Sequence, residues 1–102
     1  MFDFDLTDEL KVILRKLSQK DRKKVEIINR KIKEIIGCDS KGVDHYKNLR
    51  GDMKHLKRVH IDSHFVLTFN VDKEKNFILF VDFDHHDNVY WESFQTIDDY
   101  FY

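Results

Sequence analysis

Leu6, Leu10, Ile13, Leu14 and Leu17 recur at spacings of three and four, which lines one face of an α-helix. Thr7 is a fair N-cap for it, and Asp8 and Glu9 suit the positive end of a helix. Ser18 breaks the pattern and can cap a second helix, whose apolar side is Val25, Ile28, Ile32, Ile35 and Ile36. Gly37 is a natural stop. Lys23, Lys24, Arg30, Lys31 and Lys33 fall mostly on the outer faces, so the two helices are expected to form an antiparallel hairpin. Ahead of them, Phe2 and Phe4 alternate with acids across Met1–Asp5, as a short edge strand would.

From residue 55 the period changes from four to two. Val59 and Ile61 alternate with Arg58, His60 and Asp62 across Lys57–Asp62. The break at Asp62–Ser63 reads as a tight hairpin turn. Phe65, Leu67, Phe69 and Val71 then alternate with His64, Val66, Thr68 and Asn70. A second turn is expected at 72–76. Phe77–Phe83 is apolar at nearly every position, which predicts a central strand. Residues 38–54 read as a connecting loop with few apolar positions, and a short aromatic segment follows Asp84. The expected order is β-α-α-β-β-β-α. That is an α+β fold, a helical hairpin packed on a small antiparallel sheet, in one domain over residues 1–102.

Composition narrows the class. At 102 residues with 36% charged and 14% aromatic side chains, the chain suits one folded domain. No apolar run reaches the roughly 18 residues of a membrane span. The acidic start, MFDFDLTDEL, lacks the basic region and apolar stretch of a secretory signal. The single cysteine, Cys38, excludes an intrachain disulfide and suits a cytoplasmic protein. The net charge of −1 hides an asymmetry: residues 11–58 carry 16 Lys and Arg against 6 acids, and residues 59–102 carry 2 against 9. The basic block is either a polyanion-facing surface or a pair of solvated helix faces.

Candidate chemistry concentrates in the histidines, the side chains that titrate nearest neutrality. His55, His60, His64, His85 and His86 cluster in the second half, and His45 precedes them. Strand alternation puts Arg58, His60 and Asp62 on one face, where a cation and a carboxylate could bind phosphate and tune a proton carrier. Solvated strand histidines are common, so spacing alone leaves both readings open. His86 and Tyr90 share a face if a helical turn follows the third strand of the meander. The run Asp82, Asp84, His85, His86, Asp87 offers metal-ligand types, yet adjacent His85 and His86 fit one ion poorly and no zinc spacing is present, so no metal is expected.

The order of these elements resembles the RelE superfamily of toxins. Leu49-Arg50-Gly51 matches its loop step, Lys57-Arg58-Val59-His60-Ile61 its basic strand, and Asp84-His85-His86-Asp87-Asn88-Val89-Tyr90 its final polar and aromatic motif. The two preceding helices match its layout, so the resemblance spans nearly the whole chain. Histidines before the loop step, in the basic strand and four residues before an aromatic are similar to the YafQ branch. His64-Phe65-Val66-Leu67 stands where the RelE branch carries an arginine, and Asp84 where the family has glycine; both favour the YafQ-like pattern.

The resemblance implies a ribosome-dependent mRNA endoribonuclease of a toxin–antitoxin system. In that chemistry the ribose 2′-OH attacks the adjacent phosphate and leaves a 2′,3′-cyclic phosphate, with no cofactor or metal. It implies His86 as acid, His60 as base or phosphate ligand with His45 assisting, and Tyr90 stacking on the nucleotide. Arg50, Lys54, Lys57 and Arg58 would bind phosphate, with Asp62 or His64 at a further polar position. The implied partners are a cognate antitoxin, the ribosome and mRNA, and no membrane. Two other roles suit the same fold: a ParE-like gyrase inhibitor that cuts nothing, and an inactive homologue that only binds an antitoxin.

Overall fold

The computed structural model of the protein describes residues 1–85. Strand β1 (Asp3–Leu6) leads through Thr7 into helix α1 (Asp8–Lys20). The Thr7 hydroxyl accepts the Leu10 N–H at 3.2 Å and donates to the Val81 carbonyl at 2.7 Å, so one side chain caps the helix and ties it to the sheet. Leu6, which shares the helix spacing, closes the strand instead, because the cap lies after it. The helix also runs through Ser18, where the spacing predicts a break. The Ser18 hydroxyl donates to the Arg15 carbonyl at 2.7 Å, which satisfies it without ending the helix. The corner falls at Asp21. Its N–H closes α1 on the Leu17 carbonyl at 2.7 Å, and its carboxylate caps α2 (Arg22–Ile36) by accepting the Lys24 N–H at 3.1 Å. Gly37 follows the last helical residue, as expected.

Strands β2 (Lys57–Ile61), β3 (Phe65–Asp72) and β4 (Phe77–His85) form the antiparallel meander that alternation predicts. The sheet order is β1-β4-β3-β2, so β4 is central and β1 is an edge. β1 runs parallel to β4, which makes the sheet mixed. The helical hairpin covers one sheet face. Leu10, Ile28, Ile32 and Ile35 pack there against Leu67, Phe69, Ile78 and Phe80. The aromatic segment and helix expected after β4, with His86 and Tyr90, lie outside the described residues.

The alternation of β4 does not run straight through. Thr68 pairs with Asp82 but Phe69 pairs with Phe80, so Val81 is an extra residue in the ladder. This bulge lets Phe80 and Phe83, three apart, both enter the helix-covered core. It also turns Asp82 and Asp84 to the opposite face, across from Thr68 and Val66 and in line with Arg58 and His60 on β2.

The connection over residues 38–54 is more apolar in its packing than in its composition. It contains two single-turn 3₁₀ helices, Gly42–His45 and Gly51–Met53. Val43, Tyr46 and Leu49 are buried, and Leu49 with Leu56 packs on Val66 across the face away from the helices. The Arg58 N–H donates to the Lys47 carbonyl at 2.9 Å, which lays the connection along the edge of β2. Gly51 has φ 65°, a left-handed conformation that explains a glycine after Leu49-Arg50.

Candidate functional site

A cleft of about 300 Å³ opens where α2, the connection and the edge of β2 meet. Lys31 and Glu34 line it from α2, His45, Tyr46 and Lys47 from the connection, and Arg58, Val59 and His60 from β2. Two imidazoles and three cationic side chains thus share one opening with a single carboxylate.

Each group is held by its local structure. His45 ends the first 3₁₀ turn, and its Nδ1 lies 3.1 Å from the Gly42 carbonyl. Its ring stacks on Tyr46, with centroids 4.5 Å apart and planes 21° from parallel. The Tyr46 hydroxyl donates to Glu34 Oε1 at 3.4 Å, and Glu34 is paired with Lys31 at 3.0 Å. The hydrogen bond from Lys31 holds the Glu34 carboxyl below the usual carboxylate range. Burial, with Glu34 close by, pushes the Tyr46 phenol up to about 12, so at neutral pH it donates a hydrogen bond and carries no charge. Arg58 is only 6% exposed, and its guanidinium reaches the Asn48 carbonyl at 3.4 Å. His60, two residues on, is exposed on the same strand.

The other expected site residues are placed elsewhere. Arg50 and Lys54 are exposed and flank the second 3₁₀ turn, away from the cleft lining. The Lys57 ammonium donates to the Tyr46 carbonyl at 3.1 Å and to Asn48 Oδ1 at 3.0 Å; burial pushes its pKa down, and it anchors the connection. Asp62 leaves the face expected for it beside Arg58 and His60. Its φ of 53° turns the chain, and its carboxylate meets Lys24 of α2 at 3.6 Å. His64 donates its N–H to Asp62 at 2.9 Å, and its ring stacks on His85 at 6.0 Å. Among the described residues no group of three or more His, Cys, Asp or Glu is arranged to hold a metal ion.

Lys31, Glu34, Tyr46 and Lys47 complete the cleft, and spacing did not single them out as site residues. The basic outer face of α2 was legible, but not which of its lysines overhangs β2. Tyr46 and Lys47 lie beside His45 in a segment whose fold no periodicity specifies.

Comparison with known proteins decides the family. A Methanocaldococcus jannaschii protein named "Putative toxin RelE4" is 47% identical over 90 residues, covering 88% of this chain and 92% of its own. The chain belongs to the RelE toxin family. No protein-family model matches it. Among solved structures, YafQ from Escherichia coli superposes with a TM-score of 0.67 at 14% identity, over 88% of this chain and 99% of its own. The YoeB–YefM complex from Staphylococcus aureus gives 0.66 at 18% identity, over 84% of this chain and 98% of its matched chain. The α+β architecture is thus the fold of RelE-family toxins, and no helix among the described residues is long and apolar enough to cross a membrane.

Proposed function

We propose that the protein is the toxin of a toxin–antitoxin pair and cuts mRNA on the ribosome without a metal. The observation that carries this reading is the cleft that joins His45, His60 and Arg58. A phosphodiester cut by its own 2′-OH needs a proton acceptor at that hydroxyl, a donor at the 5′-oxygen and positive charge on the phosphate. In this scheme the two imidazoles supply the proton acceptor and a phosphate ligand, and Arg58 with Lys47 neutralises the phosphate. His86 serves as the acid and Tyr90 as the stacking ring; both roles rest on the family resemblance. Arg50 and Lys54, on the neighbouring turn, bind flanking phosphates. Asp82 and Asp84 share the sheet face of Arg58 and His60, so Arg58 also offsets acids that repel RNA.

An antitoxin partner has its support in the family and in the fold shared with the YoeB–YefM complex. Inducible expression in a bacterial or archaeal host tests the whole reading. The wild type is expected to arrest growth with codon-phased mRNA cuts, and His60→Ala and His86→Ala to abolish both. Arrest with intact mRNA and damaged DNA would identify a gyrase-directed toxin. Normal growth, with capture of a small acidic partner, would identify an inactive antitoxin binder.

A further inference from the structure

The geometry of the cleft assigns a task to two residues that touch no substrate in the scheme above. We propose that Tyr46 and Glu34 are positioning residues that hold His45 in one tautomer, with Nε2 offered to the cleft as a proton acceptor.

The Gly42 oxygen can only accept a hydrogen bond, so the ring nitrogen 3.1 Å from it, Nδ1, carries the proton. Neutral His45 then has its lone pair on Nε2, the remaining ring nitrogen. A carbonyl alone does not keep an exposed imidazole in place, because the side chain can rotate about its own bonds. The Tyr46 ring supplies the second constraint, as the floor on which the imidazole lies at 4.5 Å. That floor is itself fixed. Tyr46 is 7% exposed, meets Phe69 edge-on at 5.7 Å, and donates its hydroxyl to Glu34. Lys31 in turn pairs with Glu34 from the next turn of α2. The chain of contacts runs from helix to carboxylate to phenol to imidazole, and it ends at the mouth of the cleft that His60 and Arg58 complete.

The arrangement separates the roles of the two cleft histidines. His45 has an assigned proton on the nitrogen turned to Gly42, and suits the proton acceptor for the 2′-OH. His60 suits the phosphate. This assignment rests on the reading of the cleft as the RNA-cleaving site, but the tautomer does not.

Long-range proton–nitrogen NMR of the full-length ¹⁵N-labelled protein at about pH 8.5, where imidazole is neutral, reads the tautomer directly. The expected wild-type result is a protonated Nδ1 and an unprotonated Nε2 on His45. Tyr46→Leu should shift His45 toward the mixture of tautomers seen in unconstrained imidazole, and lower kcat for RNA cleavage more than tenfold with KM unchanged. Tyr46→Phe keeps the buried ring, and so the fold; losing its one hydrogen bond should lower kcat about two- to tenfold. Glu34→Ala removes the acceptor of the Tyr46 hydroxyl and should lower kcat about two- to tenfold, and Glu34→Gln, which restores an acceptor, should recover most of that loss. A wild-type His45 protonated on Nε2, or a Tyr46→Phe protein with wild-type kcat and a Tyr46→Leu protein with a wild-type tautomer, would overturn the proposal. If the wild type shows the expected tautomer and its loss in Tyr46→Leu but cleaves no RNA, the positioning stands and the cleavage reading fails.

Discussion

Asp62 shows how a residue can be placed correctly in a turn and wrongly on the strand face beside Arg58 and His60. Its φ of 53° is tolerated by Asp and Asn because their short side chains bond locally. The carboxylate accepts the His64 N–H at 2.9 Å and meets Lys24 at 3.6 Å. The hydrogen bond first, and the Lys24 charge with it, hold its pKa below the usual carboxylate range. The folded value is therefore below the unfolded one, about 3.9. The stabilisation is complete above that pH and is lost as pH falls through the depressed folded value. Asp62→Ala is expected to cost about 1–2 kcal/mol at pH 7. Asp62→Asn, which keeps the turn but loses the exposed ion pair, should cost less than about 1 kcal/mol, and should flatten the acid limb of stability. Urea melts between pH 3 and 7 measure both. Strand alternation placed Asp62 beside Arg58 and His60 because it takes every residue as extended, and a left-handed residue ends that rule. Lys57 escaped for a different reason: its partners, the Tyr46 carbonyl and Asn48, lie in a segment without a period.

At the scale of elements, the helices were legible because each buries one stripe of a 3.6-residue repeat. Their junction was not, since Ser18 and Asp21 are both good caps and only packing chooses between them. The meander was legible from its period of two. The parallel pairing of β1 was not, because Phe2 and Phe4 alternate identically in either direction. The bulge at Val81 left a trace that went unread: strict alternation cannot bury both Phe80 and Phe83 on one face. Deleting Val81 should leave Phe80 and Phe83 two positions apart and both still on the core face, with the bulge closed and the carbonyl that accepts from Thr7 lost. The expected loss is about 0.5–1.5 kcal/mol, visible as a slightly lower urea midpoint. Thr7→Ala removes both the α1 cap and the hydroxyl bond to the Val81 carbonyl, and should cost about 1.5–3 kcal/mol by the same measurement.

At the scale of the molecule, the charge asymmetry resolves into geometry. The basic block of residues 11–58 includes both helices and the connection, and so surrounds the cleft on two sides, while Asp82 and Asp84 of β4 lie on the sheet face that Arg58 and His60 share, away from the helices. A single-stranded RNA probe should bind with strong salt dependence, and Lys47→Ala should lower the salt slope by about one phosphate contact without changing the fold. The histidines were legible as candidates; that His45 and His60 share a cleft was not, because one sits in the connection and the other on an edge strand. The most direct measurement of the central claim uses purified ribosomes holding a defined mRNA, with the RNA ends identified chemically. The wild type should cut within the ribosome-bound codon and leave a 2′,3′-cyclic phosphate, and His60→Ala should lose at least about 10²-fold in rate. Intact mRNA with the wild type, or cleavage undiminished in His60→Ala, would contradict the account.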